Sequence, residues 1–147
     1  MFRTCLPALE YETVKSWLLR DLDCVQYDKA LFKKLQGEIT AYFEGSYVDF
    51  IEDVPIILDG LSLFPRGVLA ACRDIRFGQT ISYGRLAEKA GRAAAGRAVG
   101  SVMAKNPLPL IIPCHRVTYS NGKIGGFSAA GGVTLKKRML ELEARGL

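Results

Sequence analysis

The hydrophobic pattern of the chain changes period several times. Between Asp28 and Glu44 it is helical: Leu31, Leu35, Ile39, Tyr42 and Phe43 share one face, and Gly45 follows as a stop. Before it the signal is weaker, with Thr13 to Leu19 reading as a strand and Asp21-Leu22-Asp23 as a turn. Residues 46–63 look extended and irregular, with Val54 to Leu58 as a linker strand and Asp59-Gly60 as a turn. A second helical pattern covers Phe64 to Ile75, with Phe64, Val68, Leu69, Cys72 and Ile75 inward, before a turn at Phe77-Gly78. Ser82 is placed to cap a helix over Tyr83 to Ala90 that Gly91 stops. Another runs from about Ala93 to Ala104; Asn106-Pro107 ends it, because the residue before proline is driven from the helical region. The apolar run Leu108 to Ile112, bounded by prolines, is predicted to be a short buried extended segment that delivers Cys114 to its end. Asn121-Gly122 marks a tight turn and Gly125 to Gly132 a glycine-rich loop. The last helix is predicted over Val133 to Ala144, with Leu135, Met139 and Leu142 lining one face and Lys136, Lys137 and Arg138 elsewhere.

With 147 residues, 49% of them hydrophobic and 24% charged, the chain fits one compact domain or two small lobes with a core that needs no disulfide or metal. The first residues hold no apolar signal-peptide core, and no apolar run approaches the ~20 residues of a membrane span. Both point to a cytoplasmic protein (nuclear in a eukaryote) with reduced thiols and no membrane partner. Cys5, Cys24, Cys72 and Cys114 form no C-x-x-C clip, and one histidine makes no cluster, so no metal site is indicated. Charge is uneven. Residues 1–60 carry 6 Lys+Arg and 11 Asp+Glu, a net of −5; residues 61–147 carry 14 and 4, a net of +10. A basic half of that size favours a polyanion, and nucleic acid in particular, as partner.

Pro113-Cys114-His115-Arg116-Val117 places a cysteine beside the only histidine in the chain. A thiolate is a strong nucleophile, and a neighbouring base or cation makes one from a thiol. This predicts a sulfur ionised at neutral pH. The helix pair around Gly91, with arginine on its second member, has the form of a helix-turn-helix.

Arg97-Ala98-Val99-Gly100, Asn106-Pro107, Pro109 and Pro113 to Val117 together resemble the O6-alkylguanine-DNA alkyltransferases, the methylated-DNA–protein-cysteine methyltransferases. So do Ile81-Ser82-Tyr83, Gly126-Phe127-Ser128 and Gly131-Gly132, and the resemblance covers about residues 61–147. It implies an α+β fold: a reduced N-terminal α/β lobe over 1–60, then a mainly helical, winged-helix-like DNA-binding and alkyl-acceptor domain over 61–147. It also implies a monomer without cofactor that flips O6-alkylguanine from double-stranded DNA and moves the alkyl group irreversibly to Cys114, once per molecule. His115 would be the base, through a water, and Glu143 would orient it, with Glu141 as competitor. Asn106 would tie the helix to the active-site segment. Tyr83 would meet the guanine ring and supply a proton, and Ser128 would donate to the alkylated oxygen. The carbonyls of Cys114 and Val117 would accept from the exocyclic amine, and Met103 and Phe127 would belong to the pocket. Arg97 would fill the vacated stack, while small residues, Ala98 and Gly100 among them, would let the helix approach the minor groove. The chain departs from the family in its short N-terminal lobe, in Gly96, at about 1 kcal/mol for glycine inside a helix, and in Ala130. A lesion binder without chemistry would lack the cysteine, and a cysteine hydrolase would release product repeatedly.

Overall fold

The computed structural model describes residues 32–50 and 58–146, with Glu12, Lys15, Ser16 and Ile56. The turn at Asp21 to Asp23, most of the linker at Val54 to Leu58, Leu31, Cys5 and Cys24 lie outside the described residues, as does the strand expected over Thr13 to Leu19 except at Lys15 and Ser16, which are helical and not extended. The described elements are α1 (Lys33–Phe43), α2 (Leu63–Arg73), β1 (Ile81–Ser82), α3 (Tyr83–Lys89), α4 (Gly96–Ala104), a 3-10 turn (Cys114–Arg116), β2 (Val117–Thr118) and α5 (Gly132–Arg145). The fold is mixed α+β, mostly helical with a two-strand sheet. None of the described helices is long and apolar enough to cross a membrane.

The apolar faces read from the sequence supply the core. Val68, Leu69, Cys72 and Ile75 of the α2 region, Leu86 and Ala87 of α3, and Val99 and Met103 of α4 are buried together. Each large side chain there stabilises by roughly 1.5–3 kcal/mol. Ser82 caps α3 by accepting from Arg85 N at 3.2 Å. The helix after it starts later than the pattern suggests. Ala94 takes φ 62° and Gly91 φ 77°, so residues 91–95 form the turn and Gly96 is the first residue of α4. The interior-glycine cost therefore does not apply. A Cβ at Gly96 would stand 3.6 Å from the Tyr83 and Gly84 backbone, an ordinary contact.

β1 and β2 are parallel, with Ile81 opposite Val117 and Ser82 opposite Thr118. Short as it is, this sheet fixes the start of α3, and so Tyr83, against the chain that leaves Cys114.

The segment before Cys114 is buried, as its apolar composition requires, but it is not extended. Asn106 Nδ2 donates to Ile112 O at 2.7 Å, and Asn106 Oδ1 accepts from Leu108 N at 3.0 Å. Ile112 N closes onto Leu108 O at 2.8 Å, and Leu110 adopts φ 74°. With these buried backbone groups satisfied inside the loop, residues 106–112 need no strand partner and wrap into a turn.

Helix α5 is rotated relative to its apolar pattern. Its buried residues are Lys136, Met139 and Glu143, at i, i+3 and i+7, while Leu135 and Leu142 are half-buried. A Cβ at Gly131 would lie 2.5 Å from Leu135 Cβ, so only glycine fits where the chain enters this helix.

Candidate active site

Cys114 lies at the wall of a cavity of about 650 Å³, opened between α3, α4 and the loop 126–128. Tyr83, Arg97, Gly100, Met103, Phe127 and Ser128 also line it. Met103 is buried and Phe127 half-buried; Arg97 and Ser128 are exposed at the rim. Ala98 is exposed on α4 and is not among the lining residues. The cavity surface is mostly apolar, which suits a flat aromatic ligand met by a few polar groups.

Behind the cysteine stands a buried polar cluster. His115 Nε2 is 2.7 Å from Glu143 Oε1, and both side chains are 1% exposed. Glu141 instead pairs with Lys137 at 3.7 Å on the exposed face of α5 and does not reach the imidazole. Glu143 collects further donors: Tyr42 Oη at 2.8 Å, Gly78 N at 3.0 Å, Arg116 Nε at 3.1 Å to both oxygens and Arg116 Nη2 at 3.0 Å. Burial alone would raise its carboxyl pKa. The bond and charge of His115, then those of Arg116, outweigh that and lower it to about 2. Arg116 is held in turn by Ile75 O, which accepts from Nη1 at 2.6 Å, with Asp49 Oδ1 3.5 Å away.

Burial lowers the pKa of His115 against the opposing pull of Glu143, so the ring is neutral at neutral pH. Among the described residues its ring bonds run from Nε2. The neutral ring therefore donates from Nε2 to the carboxylate and leaves Nδ1 as its lone-pair nitrogen, the atom a general base uses.

The thiol differs from the sequence expectation. Burial pushes the Cys114 thiol above its usual range, while Asn106, the Lys136 charge and backbone amides pull the other way. At rest the sulfur is protonated at neutral pH, not ionised. Its activation has to accompany proton removal.

Lys136 comes from a position read as outward-facing. Its ammonium donates to Val117 O at 2.6 Å and reaches Gly126 O at 3.5 Å, lying 5.8 Å from the centre of the Tyr83 ring and 5.9 Å from that of Phe127. Val117 O thus already accepts one bond, and Cys114 O accepts from Val117 N. The Tyr83 hydroxyl is kept protonated by burial, with Tyr119 and Cys114 adding to the effect. Its ring pairs with Tyr119 at 5.3 Å. Gly125, at φ 79°, makes room for it: a Cβ there would lie 3.0 Å from the Tyr83 oxygen.

Residues 63–145 match the family described as 6-O-methylguanine DNA methyltransferase, DNA binding domain. The chain belongs to that family. It is similar to the methylated-DNA--protein-cysteine methyltransferase of Metallosphaera sedula, 44% identical over 113 residues, which are 77% of this chain and 65% of the relative. To that of Shigella flexneri it is 35% identical over 94% of this chain and 82% of the relative. Among solved structures it resembles Mycobacterium tuberculosis OGT in complex with DNA, with TM-score 0.70 and 38% identity over 78% of this chain and 68% of that one. The chain thus spans just under two thirds of the Metallosphaera relative.

Tyr42, Lys136, Tyr119 and Gly125 were not singled out as site residues from the sequence, and Arg116 was read only as part of its motif. Lys136 had a usable signal: it shares one helical stripe with Met139 and Glu143. Tyr42 gave none beyond its place on an apolar face.

Proposed function

We propose that this chain repairs DNA by direct reversal, taking the alkyl group of O6-alkylguanine onto Cys114 Sγ. The observation that carries the reading is a cysteine at the wall of an open, mostly apolar cavity, followed directly in the chain by the histidine of a buried imidazole–carboxylate pair. The thiol proton passes to His115 Nδ1, directly or through a water, as the sulfur attacks. The S–C bond forms as the C–O6 bond breaks, in line. Tyr83, a neutral phenol at the cavity wall, protonates the departing guanine. Its proton is replaced from the pool that received the thiol proton, so charge and protons balance and no cofactor takes part. To be reversed, the transfer would have to expel the Cys114 thiolate, a poor leaving group, from the alkyl carbon of a neutral thioether, hence one turnover per molecule.

An alkylated guanine inside a duplex cannot reach a cavity wall, so the reading requires the nucleotide to rotate out. Arg97 opens α4 at the rim and is the residue we assign to the vacated stack. The small residues Ala98 and Gly100 on the same helix allow close approach to a groove. We take the domain boundary near residue 60, the monomer and a DNA-containing compartment as parts of the same proposal.

The test is intact-protein mass after exposure to duplex oligonucleotide bearing O6-methylguanine. The expected result is one methyl group per molecule, on the peptide that holds Cys114. An unmodified protein with its thiol still titratable would refute the proposal. Arg97→Ala is expected to slow transfer from duplex DNA by about tenfold or more, the cost of leaving an unfilled stack. Transfer from the free alkylated base should change little. Equal losses on both substrates would remove Arg97 from the flipping step.

A further inference from the structure

We propose that Tyr42 is a positioning residue of this site: with Glu143 it holds His115 in the tautomer that carries its proton on Nε2 and leaves Nδ1 free for the thiol. Tyr42 belongs to α1, outside the residues 63–145 that match the family. Its side chain is fully buried, and its hydroxyl stands 2.8 Å from Glu143 Oε1 and 3.3 Å from His115 Nε2. The carboxylate can only accept, so the hydroxyl hydrogen goes to Glu143. That leaves the phenol's lone pairs turned toward the imidazole. Nε2 then faces two acceptors, Oε1 and the phenol oxygen, and a bare lone pair there would be repelled by both. A proton on Nε2 satisfies both contacts. The alternative tautomer would break the 2.7 Å bond to Glu143 inside a buried cluster, where an unmet acceptor is costly.

The ring of Tyr42 has a separable role. It packs against Phe43, Phe50 and Phe77, with centroids 5.1, 5.8 and 6.1 Å away. Tyr42→Phe keeps this packing and removes only the hydroxyl. The charged or titratable groups around the imidazole are Glu143 and Lys136 from α5, Arg116 and Cys114 from the 3-10 turn, and Tyr42 from α1, with Asp49 beyond Arg116. Loss of the hydroxyl takes one donor from Glu143 and leaves a carboxylate that holds an imidazolium more strongly. His115 then protonates at higher pH.

The chain has one histidine, so its ring resonances are unambiguous. The experiment follows them by nitrogen and proton NMR across pH in wild type and Tyr42→Phe, alongside the pH dependence of methyl transfer. The expected result is an Nε2–H ring in the wild type. In the variant, the titration midpoint and the acid limb of the rate should move upward together by about half a pH unit or more, about a threefold loss on that limb. A stationary midpoint and limb, with only a lower melting temperature, would reduce Tyr42 to a packing residue. Should Tyr42→Phe fail to fold, the wild-type spectrum decides: a neutral ring protonated on Nδ1, or a Tyr42 hydroxyl proton that exchanges freely with solvent, overturns the proposal, and an Nε2–H ring beside a slowly exchanging Tyr42 hydroxyl proton upholds it. The kinetic arm rests on the alkyl-transfer reading; the NMR arm does not. A wild type that accepts no methyl group therefore defeats that reading without touching the tautomer assignment.

Discussion

Arg116→Met is expected to lower the unfolding free energy by about 3–5 kcal/mol at neutral pH, the usual cost of stranding one partner of a buried ion pair. The guanidinium is 2% exposed and gives three hydrogen bonds to Glu143 and one to the Ile75 carbonyl. Methionine fills most of the volume, so the loss is electrostatic rather than a cavity. Glu143 would remain buried with His115, Tyr42 and the Gly78 amide as donors and without a full positive charge. The pH dependence has a definite sign. In the native protein the Glu143 carboxyl titrates at about 2, against 4.5 for a free side chain. Its stabilising contribution is therefore complete above the unfolded value and fades as pH falls from 4.5 toward 2. Without Arg116 the native carboxyl titrates higher, so this contribution shrinks or reverses. The deficit of the variant is largest above about pH 5 and narrows in acid. Urea denaturation at several pH values measures it. Arg116→Met combined with Glu143→Met removes both charges and should recover part of the loss. A double variant no more stable than Arg116→Met alone would show that packing, not charge, sets the cost.

The same cluster marks where sequence reasoning stops. Helices α2 and α3 were legible because their inward faces are apolar, and Ser82 announces the start of α3 by capping chemistry alone. The buried face of α5 was not legible in this way, since two of its three buried residues are Lys136 and Glu143. A hydrophobic pattern counts such residues outward. They go inward because each meets a partner from distant sequence: the Val117 carbonyl for Lys136, and His115 with Arg116 for Glu143. The run 108–112 shows a second limit. Its apolar composition reported burial, but the choice between strand and turn was made by the Asn106 carboxamide, which bonds both ends of the loop. Cys114 and His115 were found through their adjacency, yet adjacency alone does not say how the pair works. The imidazole directs Nε2 away to a carboxylate, and the thiol rests protonated. Tyr42 lies 73 residues from His115 in the chain, and only the fold brings its hydroxyl to the ring.

Lys136→Met is expected to slow alkylation of Cys114 by roughly tenfold or more at neutral pH, with the rate profile displaced toward alkali. Burial depresses the pKa of Lys136, while the nearness of Cys114 and Cys72 raises it again. The Cys114 thiol in turn feels the ammonium as a downward influence opposing its own burial. Inside the protein a cation acts on a neighbouring thiol more strongly than the same charge does in water, because the effective dielectric constant is about 20 rather than 80. Removing it leaves burial less opposed, and the thiolate forms only at higher pH. The measurement is the reaction of Cys114 with a small neutral alkylating reagent as a function of pH, beside methyl transfer from O6-methylguanine in DNA. Both profiles should move in the same direction by the same amount. Lys136 also donates to Val117 O and lies near the Tyr83 and Phe127 rings, so a purely structural loss would lower the rate equally at every pH. A profile with unchanged midpoint and uniformly reduced height would assign Lys136 to the scaffold. A displaced midpoint assigns it to the sulfur. Lys136→Arg keeps the charge but cannot place a compact ammonium on one carbonyl oxygen, and is expected to restore the midpoint more than the height.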